Sequence, residues 1–289
     1  MAAFYNQATL SYNGSVAVSN ITTGEIIETL SATKEAVTDT YTTGSDTVFA
    51  VSLVNSGSAD FVGLTLTDNL GEYSYGDPAA EAVPLTYREG SVKYYINGVQ
   101  QAEPTVTETE PLTITGLTVP AGGSTMILYE ASVNRFAPYG DDASITNTVE
   151  VSGAARAVLA TASTTITPES GASLTIAKSL SPAEVAENGE VTYTFIIQNS
   201  GSVPVTADDS VVFTDVFDPV LDITSVTFNG TEWTEGTNYN YVPATGTFTV
   251  PEGQITVPAA EYTQNPDTGE WSIQPGAAVL VITGNITVQ

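Results

Sequence analysis

Hydrophobic and polar residues alternate along many short stretches of the chain. The runs at 48–54 and 191–197 place an apolar side chain at nearly every second position, which is typical of strands with one buried face. No apolar pattern with the helical period lasts for three turns. Asn-Gly pairs favour hairpin turns because both residues tolerate positive φ, and they occur at Asn13-Gly14, Asn97-Gly98 and Asn229-Gly230. The pattern predicts an all-β chain of sandwiches with little helix.

The chain contains two copies of one pattern. Each copy has a lysine before an alternating strand, an Asn-Ser-Gly-Ser at the end of that strand, and a later Thr-Asp. These residues are Lys34, Asn55 and Asp68 in the first copy and Lys178, Asn199 and Asp215 in the second. Further on, Pro120-Ala-Gly and Pro275-Gly-Ala lead into similar strands, an alignment that places Asn285 at the position of Glu130. Self-similarity on this scale predicts tandem domains of one fold.

The two copies differ in their last strand. The first copy continues into the alternating segment 145–152, whereas the second reaches only Val288. Residues 5–12 resemble the missing strand, with Asn6 at the position of Asn147. We therefore expect two tandem immunoglobulin-like β-sandwiches, the second lacking its last strand. The expected parts are an N-terminal donor-strand arm at 1–20, a first sandwich at 21–153, a linker at 154–171 and a second, incomplete sandwich at 172–289.

The order of these motifs resembles a known family. A lysine, an alternating strand, Asn-Ser-Gly, Thr-Asp and a late Thr-Asn strand, over 30–153 and 172–289, are similar to the conserved surface-repeat domain of unknown function number eleven. That family is common in bacterial cell-surface and spore-surface proteins. The resemblance implies an immunoglobulin-like sandwich used for adhesion or as a structural spacer, and it implies no substrate. The second copy departs from the family pattern in its missing last strand.

Composition narrows the classes of function. The chain has 6 basic and 33 acidic residues and a formal net charge of -27, which opposes binding to nucleic acid or to an anionic membrane. It has no His or Cys, so disulfides, thiolate or imidazole metal sites and His- or Cys-based catalysis are excluded. The N-terminal residues show no basic start and no long apolar run, so we expect neither an ordinary secretory signal nor membrane insertion. We expect no cofactor.

The few lysines suggest a specific chemistry. Of the three in the chain, Lys34 and Lys178 occupy the same register of the repeat, and only Lys93 does not. Lys, Asp and Asn on adjacent strands resemble the isopeptide triad of Gram-positive pilin and adhesin domains. In such a triad a buried lysine loses its proton, a buried neutral aspartate polarises the asparagine carboxamide, and attack by the amine expels ammonia. No enzyme activity on an external substrate is expected.

Two cross-links follow from the alignment. The expected bonds are Lys34–Asn147 within one chain, with Asp68 as catalytic residue, and Lys178–Asn6 between subunits, with Asp215 as catalytic residue. Either lysine could instead be a surface residue that begins a strand, and either aspartate could cap a turn. Asn285 is a weaker partner because it aligns with Glu130, and the Asn of each Asn-Ser-Gly is expected to shape a turn.

Other candidate sites are weaker. Acidic pairs in loops could bind Ca²⁺ through oxygen ligands, but they lack the spacing of calcium loops and are better explained as solvated acids. These pairs are Asp141-Asp142 and Asp208-Asp209. Trp233 and Trp271 are expected to pack in the core or at turns rather than to bind a glycan.

The leading hypothesis is a structural subunit of an extracellular filament on a cell or spore surface. The N-terminal strand of one subunit would complete the second sandwich of the next by β-augmentation, and this heterologous contact need not close into a ring. The donor strand would present Phe4, Tyr5, Ala8, Leu10 and Tyr12. Insertion of the arm into its own second domain is a competing arrangement. The alternative function is a two-domain surface adhesin or spacer that binds host glycan or protein through its loops.

Overall fold

The chain is built from β-strands that form two compact units. A computed structural model describes residues 2–26, 30–140, 142–153 and 157–287, and no helix occurs among them. The first unit comprises 1–138, 143–168 and 266–270, and the second comprises 139–142, 169–265 and 271–289. The prediction of an all-β chain is confirmed. In the described ranges no helix is long and apolar enough to span a membrane.

The N-terminal segment folds back on itself as one long hairpin of two successive strand pairs, which we call the arm hairpin. Its strands are β1 (Ala2–Asn6), β2 (Thr9–Tyr12), β3 (Ser15–Val18) and β4 (Thr22–Ile26). β1 pairs with β4 and β2 pairs with β3, both antiparallel. The chain reverses at Asn13-Gly14, whose φ values of 45° and 79° suit a tight hairpin turn. The segment predicted as one donor strand therefore already has partner strands on one edge.

The first unit is a sandwich of two six-stranded sheets. Its strands are β5 (Leu30–Ala36), β6 (Thr40–Tyr41), β7 (Asp46–Asn55), β8 (Phe61–Asp68), β9 (Tyr73–Tyr75), β10 (Ala80–Ala82), β11 (Leu85–Tyr87), β12 (Lys93–Ile96), β13 (Val99–Gln100), β14 (Thr105–Thr109), β15 (Leu112–Val119), β16 (Ser124–Val133), β17 (Ile145–Ser152) and β18 (Val158–Pro168). One sheet has the order β13-β12-β16-β7-β5, with β11 also on β16, and we call it the lysine sheet. The other has the order β14-β15-β8-β17-β18-β6, and we call it the aspartate sheet.

The core of the first unit lies between these sheets. Buried and less buried residues alternate along β7 and β16, as the sequence pattern predicts. Residues on the inward rows, such as Phe49, Leu66, Ile127 and Val149, are inaccessible to solvent. Side chains from both sheets thus fill one apolar layer, and any polar group in that layer has to find a partner within the protein.

Strand β18 lies inside the segment that the sequence predicted to be a linker, 154–171. It pairs antiparallel with β17 from Ile145↔Ile166 to Ser152↔Val158, and it pairs in parallel with β6. Its alternating side chains are mostly Ala, Ser and Thr, so the strand has little apolar signal, although Ile166 is fully buried. The described part of this segment therefore belongs largely to the first sandwich.

The second unit has the same lysine sheet but a smaller aspartate sheet. Its strands are β19 (Leu174–Ser181), β20 (Glu190–Asn199), β21 (Phe213–Val216), β22 (Val220–Phe228), β23 (Thr231–Glu232), β24 (Asn240–Val242), β25 (Thr247–Val250), β26 (Glu261–Gln264), β27 (Trp271–Gln274) and β28 (Gly276–Thr287). The lysine sheet has the order β19-β20-β28-β22-β23, and the aspartate sheet has only β21-β25-β24. β26 and β27 form a separate hairpin. Val288 lies outside the described residues.

Strand pairing confirms the repeat seen in the sequence. Lys34 lies opposite Val51 and Lys178 lies opposite Phe195, each on the next long strand. At the other end of these pairs, Leu30 faces Asn55 and Leu174 faces Asn199. The two lysine sheets therefore share one register, and the difference between the units lies in the aspartate sheet.

Candidate functional site

A cluster of polar residues is buried in the core of the first unit. Lys34 lies on β5 of the lysine sheet, while Asp68 at the end of β8 and Asn147 on β17 lie on neighbouring strands of the aspartate sheet. Their exposed fractions are 5%, 0% and 0%. Lys34 is thus a core residue and not a surface lysine, and a buried charge of this kind is rare without a partner.

Hydrogen bonds connect these residues through Tyr129 on β16. The Oδ2 atom of Asp68 accepts hydrogen bonds from Lys34 Nζ at 2.5 Å and from the Tyr129 hydroxyl at 2.6 Å. Asn147 Nδ2 donates to the Tyr129 hydroxyl oxygen at 3.0 Å. The other oxygen of Asp68 accepts from the amide of Leu70, which holds the carboxylate in place. We call Lys34, Asp68, Tyr129 and Asn147 the buried tetrad.

One atom of the tetrad has no hydrogen-bond partner. Asn147 Oδ1 is buried and unpaired among the described residues, whereas the amide nitrogen of the same side chain bonds to Tyr129. Leaving a buried carbonyl oxygen unpaired costs about 1–3 kcal/mol, so such atoms are uncommon in folded proteins. The oxygen is free to accept a hydrogen bond or developing negative charge when the carbon beside it is attacked.

The surroundings of the tetrad favour a nucleophilic amine. Burial lowers the pKa of Lys34 from 10.5 to about 8, although the nearby charge of Asp68 acts in the opposite direction. With this pKa about one amine in ten is neutral at pH 7, far more than for an exposed lysine. Burial, followed by the charge of Asp68, raises the pKa of Tyr129 well above its usual 10.0, so its hydroxyl keeps its proton.

The second unit contains the same lysine–aspartate contact in a more open setting. Lys178 Nζ lies 2.5 Å from Asp215 Oδ2, and the two side chains are 40% and 20% exposed. The ammonium lies over three aromatic rings, with Nζ–centroid distances of 4.7 Å to Tyr193, 5.2 Å to Phe195 and 5.4 Å to Phe217. The structure thus prepares a lysine and an acid here, but no described asparagine completes the site.

The second site also lacks the tyrosine. Strand pairing places Ile127 and Leu280 at the same position, opposite Val51 and Phe195, so Ile282 occupies the place of Tyr129. Asp215 therefore has no counterpart of the Tyr129 hydroxyl. The sequence offered no clear signal for Tyr129, but its place two residues after Ile127 on the inward row of β16 could have identified it once the lysine and aspartate were assigned.

The same pairing corrects the alignment of Asn285 with Glu130. Asn285 lies opposite Glu190, as Ser132 lies opposite Asp46, so Asn285 corresponds to Ser132. The register is set by a glycine opposite the Asn of each Asn-Ser-Gly motif and not by the Pro-Gly motifs used in the alignment. Asn285 lies five residues beyond Leu280, the residue in register with Lys178, and is therefore poorly placed to reach that lysine.

The predicted donor residues lie in the arm hairpin with exposed side chains. Asn6 on β1 faces Thr22 on β4, and its side chain is exposed. Ala8 is also exposed, and the large apolar residues of the predicted donor strand have exposed fractions of 56–74%; they are Phe4, Tyr5, Leu10 and Tyr12. Single exposed apolar residues are normal, but several large ones within nine residues of the chain mark a candidate interaction surface.

Other candidates have structural roles. Asn55 and Asn199 each accept a hydrogen bond from the amide two residues later and donate to nearby carbonyls, which confirms the prediction that they shape turns. Asp209 accepts hydrogen bonds from the Thr206 amide and hydroxyl, which lower its pKa, so it caps a turn. Trp233 is buried and stacks on Phe228.

No candidate metal site is found in the described part of the chain. No group of three or more acidic side chains capable of holding a metal ion occurs there. Of the acidic pairs singled out in the sequence, Asp141 lies outside the described residues.

Comparison with known proteins gives structural neighbours only. No family model matches the chain, and no curated protein matches it. Among solved structures, the pilus backbone of Streptococcus pneumoniae is 11% identical to this chain, with a TM-score of 0.33. The match covers 86% of this chain and 55% of that protein. BcpA, the major pilin subunit of Bacillus cereus, is 8% identical with a TM-score of 0.35, and the match covers 95% and 73% of the two chains.

A third neighbour is the collagen-binding domain from a Staphylococcus aureus adhesin. It is 11% identical with a TM-score of 0.29, and the match covers 50% of this chain and 98% of that domain. All three TM-scores lie below 0.5, so function has to be inferred from the chain's own residues.

Proposed function

We propose that the chain is a structural subunit that assembles head to tail into an extracellular filament. In this proposal, the N-terminal arm of one copy completes the second sandwich of the next copy. Autocatalytic Lys–Asn isopeptide bonds then form within each subunit and between subunits. The chain acts on no external substrate, and its partner is another copy of itself.

The observation that carries this proposal is the open second sandwich. Among the described residues no strand pairs with the free edge of β21, and β19 is exposed along its whole length. A free edge beside exposed apolar side chains invites the addition of a strand from another chain. Leu174, Ile176 and Leu180 on β19 are 39–56% exposed, so completing their burial would contribute about half of the roughly 1.5–3 kcal/mol expected for each fully exposed side chain, which favours assembly.

The buried tetrad supports the cross-link within a subunit. The Lys34 ammonium gives a proton to Asp68, and the neutral amine attacks Cγ of Asn147. A Cγ–Nζ bond forms and the Cγ–Nδ2 bond breaks. The departing nitrogen takes the second proton that Nζ loses as the amide forms, and also the proton held by Asp68, so that ammonium leaves and Asp68 is again a carboxylate. The step needs no oxidant and no cofactor.

The same reaction at the junction would need an asparagine from the incoming arm. Asn6 matches Asn147 in the repeat, and Lys178 and Asp215 are already in contact but partly exposed. Arrival of the arm would bury this pair and supply the carboxamide. Each junction would then be covalent.

The surface location follows from the resemblance of the repeats to bacterial surface domains. That resemblance extends to spore-surface proteins, so the filament is proposed for a cell or spore surface. An acidic chain with a net charge of -27 repels its copies along the sides of a filament, which favours single fibres over bundles.

Electron microscopy of the purified protein together with a denaturing gel tests the proposal. We expect filaments that survive boiling in detergent and run as a ladder, and peptides from a digest that join Asn6 to Lys178. Monodisperse particles would contradict assembly and favour the two-domain adhesin or spacer. Filaments that melt to monomers would retain the assembly but refute the bond between subunits.

A further inference from the structure

Among its described residues the second unit has no counterpart of β17 and none of β18. In the first unit β17 pairs with β8 and β18 pairs with β17, and β18 also runs close to β5. In the second unit the aspartate sheet begins at β21, the counterpart of β8, so no described strand takes the place of β17 or of β18. The gap therefore has the width of a hairpin.

Side chains on β19 are exposed where the counterpart of β18 would cover them. The inward row of β5 begins with Leu30, which is 8% exposed, whereas its counterpart on β19, Leu174, is 39% exposed. Further along the same row, Ile176 and Leu180 are 56% and 41% exposed. Because β18 is the strand that runs close to β5, a single strand at the edge of β21 would fill the place of β17 and leave the place of β18 open.

The arm hairpin has the pairing of β17 with β18. Asn6 faces Thr22 in the arm, and Asn147 faces Thr164 in the first unit. On the side of this pair away from the turn, Phe4 faces Gly24 in the arm as Ile145 faces Ile166 in the first unit. Towards the turn each hairpin shifts by one residue, between Asn6 and Thr9 in the arm and between Val151 and Ser152 in the first unit. The two hairpins thus match in register over the segment that carries the asparagine.

An apolar pair occupies the same place on both hairpins. Ile145 and Ile166 face each other across β17 and β18, and both are buried. The corresponding pair in the arm is Phe4 and Gly24. A Cβ atom on Gly24 would lie within 2.2 Å of the Phe4 ring, so that ring covers the glycine and presents an apolar surface at both positions.

We propose that the arm is donated as an intact hairpin, with β1 and β2 in the place of β17 and β4 in the place of β18. The occupant of the open face is thus a second copy of this chain, and its donated element extends through β4 to Ile26, beyond the segment 1–20. This inference rests on the proposed head-to-tail assembly and specifies its partner surface.

The match predicts the register of the junction. In the first unit Val149 faces Asp68 and Glu150 faces Thr67. By correspondence, Ala8 of one subunit faces Asp215 of the next, and Thr9 faces Thr214. Thr9 and Thr214 are both exposed, and paired residues of antiparallel strands lie about 5 Å apart between Cα atoms, which suits a disulfide.

A first experiment places cysteines in the full-length chain, which has none of its own. A mixture of Thr9→Cys and Thr214→Cys subunits, or the double variant, should form disulfide-linked polymers on mild oxidation. Mixing Ser15→Cys with Thr214→Cys subunits is the out-of-register control and should give no such link. If Ser15→Cys forms a disulfide with Thr214→Cys in the polymer and Thr9→Cys does not, the proposed register of Thr9 opposite Thr214 is wrong.

A second experiment asks whether the hairpin stays closed. Tyr5→Cys/Thr23→Cys joins facing residues of β1 and β4, and the oxidised variant should assemble at the rate of its reduced form. In filaments of Ile176→Cys the thiol should be protected from a labelling reagent at least tenfold relative to unassembled subunits, whereas Val62→Cys on β8 should label equally in both forms.

The outcomes separate the two proposals. Assembly of the locked variant only after reduction, or an Ile176→Cys thiol that labels freely within filaments, would overturn the intact hairpin while leaving head-to-tail assembly standing. Absence of any polymer from the unmodified chain would overturn assembly itself, and the hairpin donor with it.

Discussion

The two units of this chain present one site in a closed and an open form. In the first unit Lys34 and Asp68 are fully buried and share hydrogen bonds with Tyr129 and Asn147. In the second unit Lys178 and Asp215 make the same contact at the same distance, but solvent reaches both side chains. Since the lysine sheets share one register, the difference arises from the strands of the aspartate sheet.

This comparison distinguishes the effect of the lysine–aspartate contact from the effect of burial. A lysine–aspartate ion pair forms in both units, and in the first, burial lowers the pKa of Lys34 to about 8 although the charge of Asp68 acts in the opposite direction. Enclosure by neighbouring strands, and not the ion pair alone, is therefore what prepares the amine for attack. The open site would react only after another strand closes it, which would restrict bond formation to assembled subunits.

The largest expected effect is loss of the closed site's cross-link. In wild-type protein, formation of the bond should lower the mass by one ammonia. In Asp68→Ala, mass spectrometry should show no such loss. The unfolding free energy should fall by about 4–5 kcal/mol, because the bond closes a loop of more than a hundred residues. Asp39→Ala, at an exposed position, serves as the control and should still lose ammonia.

Asn147→Ala tests the same bond without leaving Lys34 unpaired. This variant should also show no loss of ammonia from the first unit, and it should fold. An unmodified mass for the folded wild-type first unit would show that the closed site does not react.

Removing the lysine of the open site should affect the polymer and not the fold of the subunit. Lys178→Ala filaments should dissociate to monomers in hot detergent, whereas wild-type filaments should not. Lys93→Ala is a matched control, since it removes the lysine that belongs to neither site. Equal resistance of all three polymers to detergent would show that the junction is held by other bonds.

Tyr129 should set the rate at the closed site. Tyr129→Phe removes the hydroxyl that bridges Asp68 and Asn147, so we expect bond formation to slow by about tenfold or more while Asp68 still permits the reaction. Mass spectrometry of freshly translated protein, sampled over time, measures this rate. A variant that is less stable but reacts at the wild-type rate would show that Tyr129 contributes only to the packing of the core.

The smallest expected effect is the pH dependence of the closed site. The lysine gives its proton to Asp68 before it attacks, so the reactive pair holds as many protons as the ion pair. Because the pKa of Lys34 is lowered to about 8, the rate should be level between pH 6 and pH 8 and should fall about tenfold for each further pH unit, as the pair loses the proton that the departing nitrogen needs. Mass spectrometry of freshly translated protein, sampled over time in a series of buffers, gives the profile; a rate that keeps rising above pH 8 would contradict the role of the shared proton.

Much of the fold could be predicted because it depends on local rules. Alternation identified the long strands, and each of the three Asn-Gly pairs adopts positive φ at both residues. The shared register of Lys34 and Lys178 followed from the repeat alone. These features depend on neighbouring residues, which a sequence displays directly.

Features that depend on distant partners were missed. Strand β18 is rich in small polar residues and could not be distinguished from a linker, because its strand character comes from pairing with β17. Tyr129 reads as an ordinary core aromatic until Asp68 is placed beside its hydroxyl. The Asn13-Gly14 pair predicts a turn within the arm, but the resemblance of 5–12 to a single missing strand gives no sign that Asn6 pairs with Thr22.

The positions of Lys34 and Asn147 have a mechanical consequence. The chain enters the first sandwich through β5, which carries Lys34, and leaves it through β18, which follows the strand that carries Asn147. A pull along the chain therefore reaches Lys34 directly from one end, and from the other end it reaches Asn147 after β18. Once an amide joins them, tension passes from one to the other through covalent bonds, and the strands between them carry none of it. A fibre of such subunits would resist stretching without unfolding, and its tensile strength would depend on bond chemistry rather than on the stability of the sandwich.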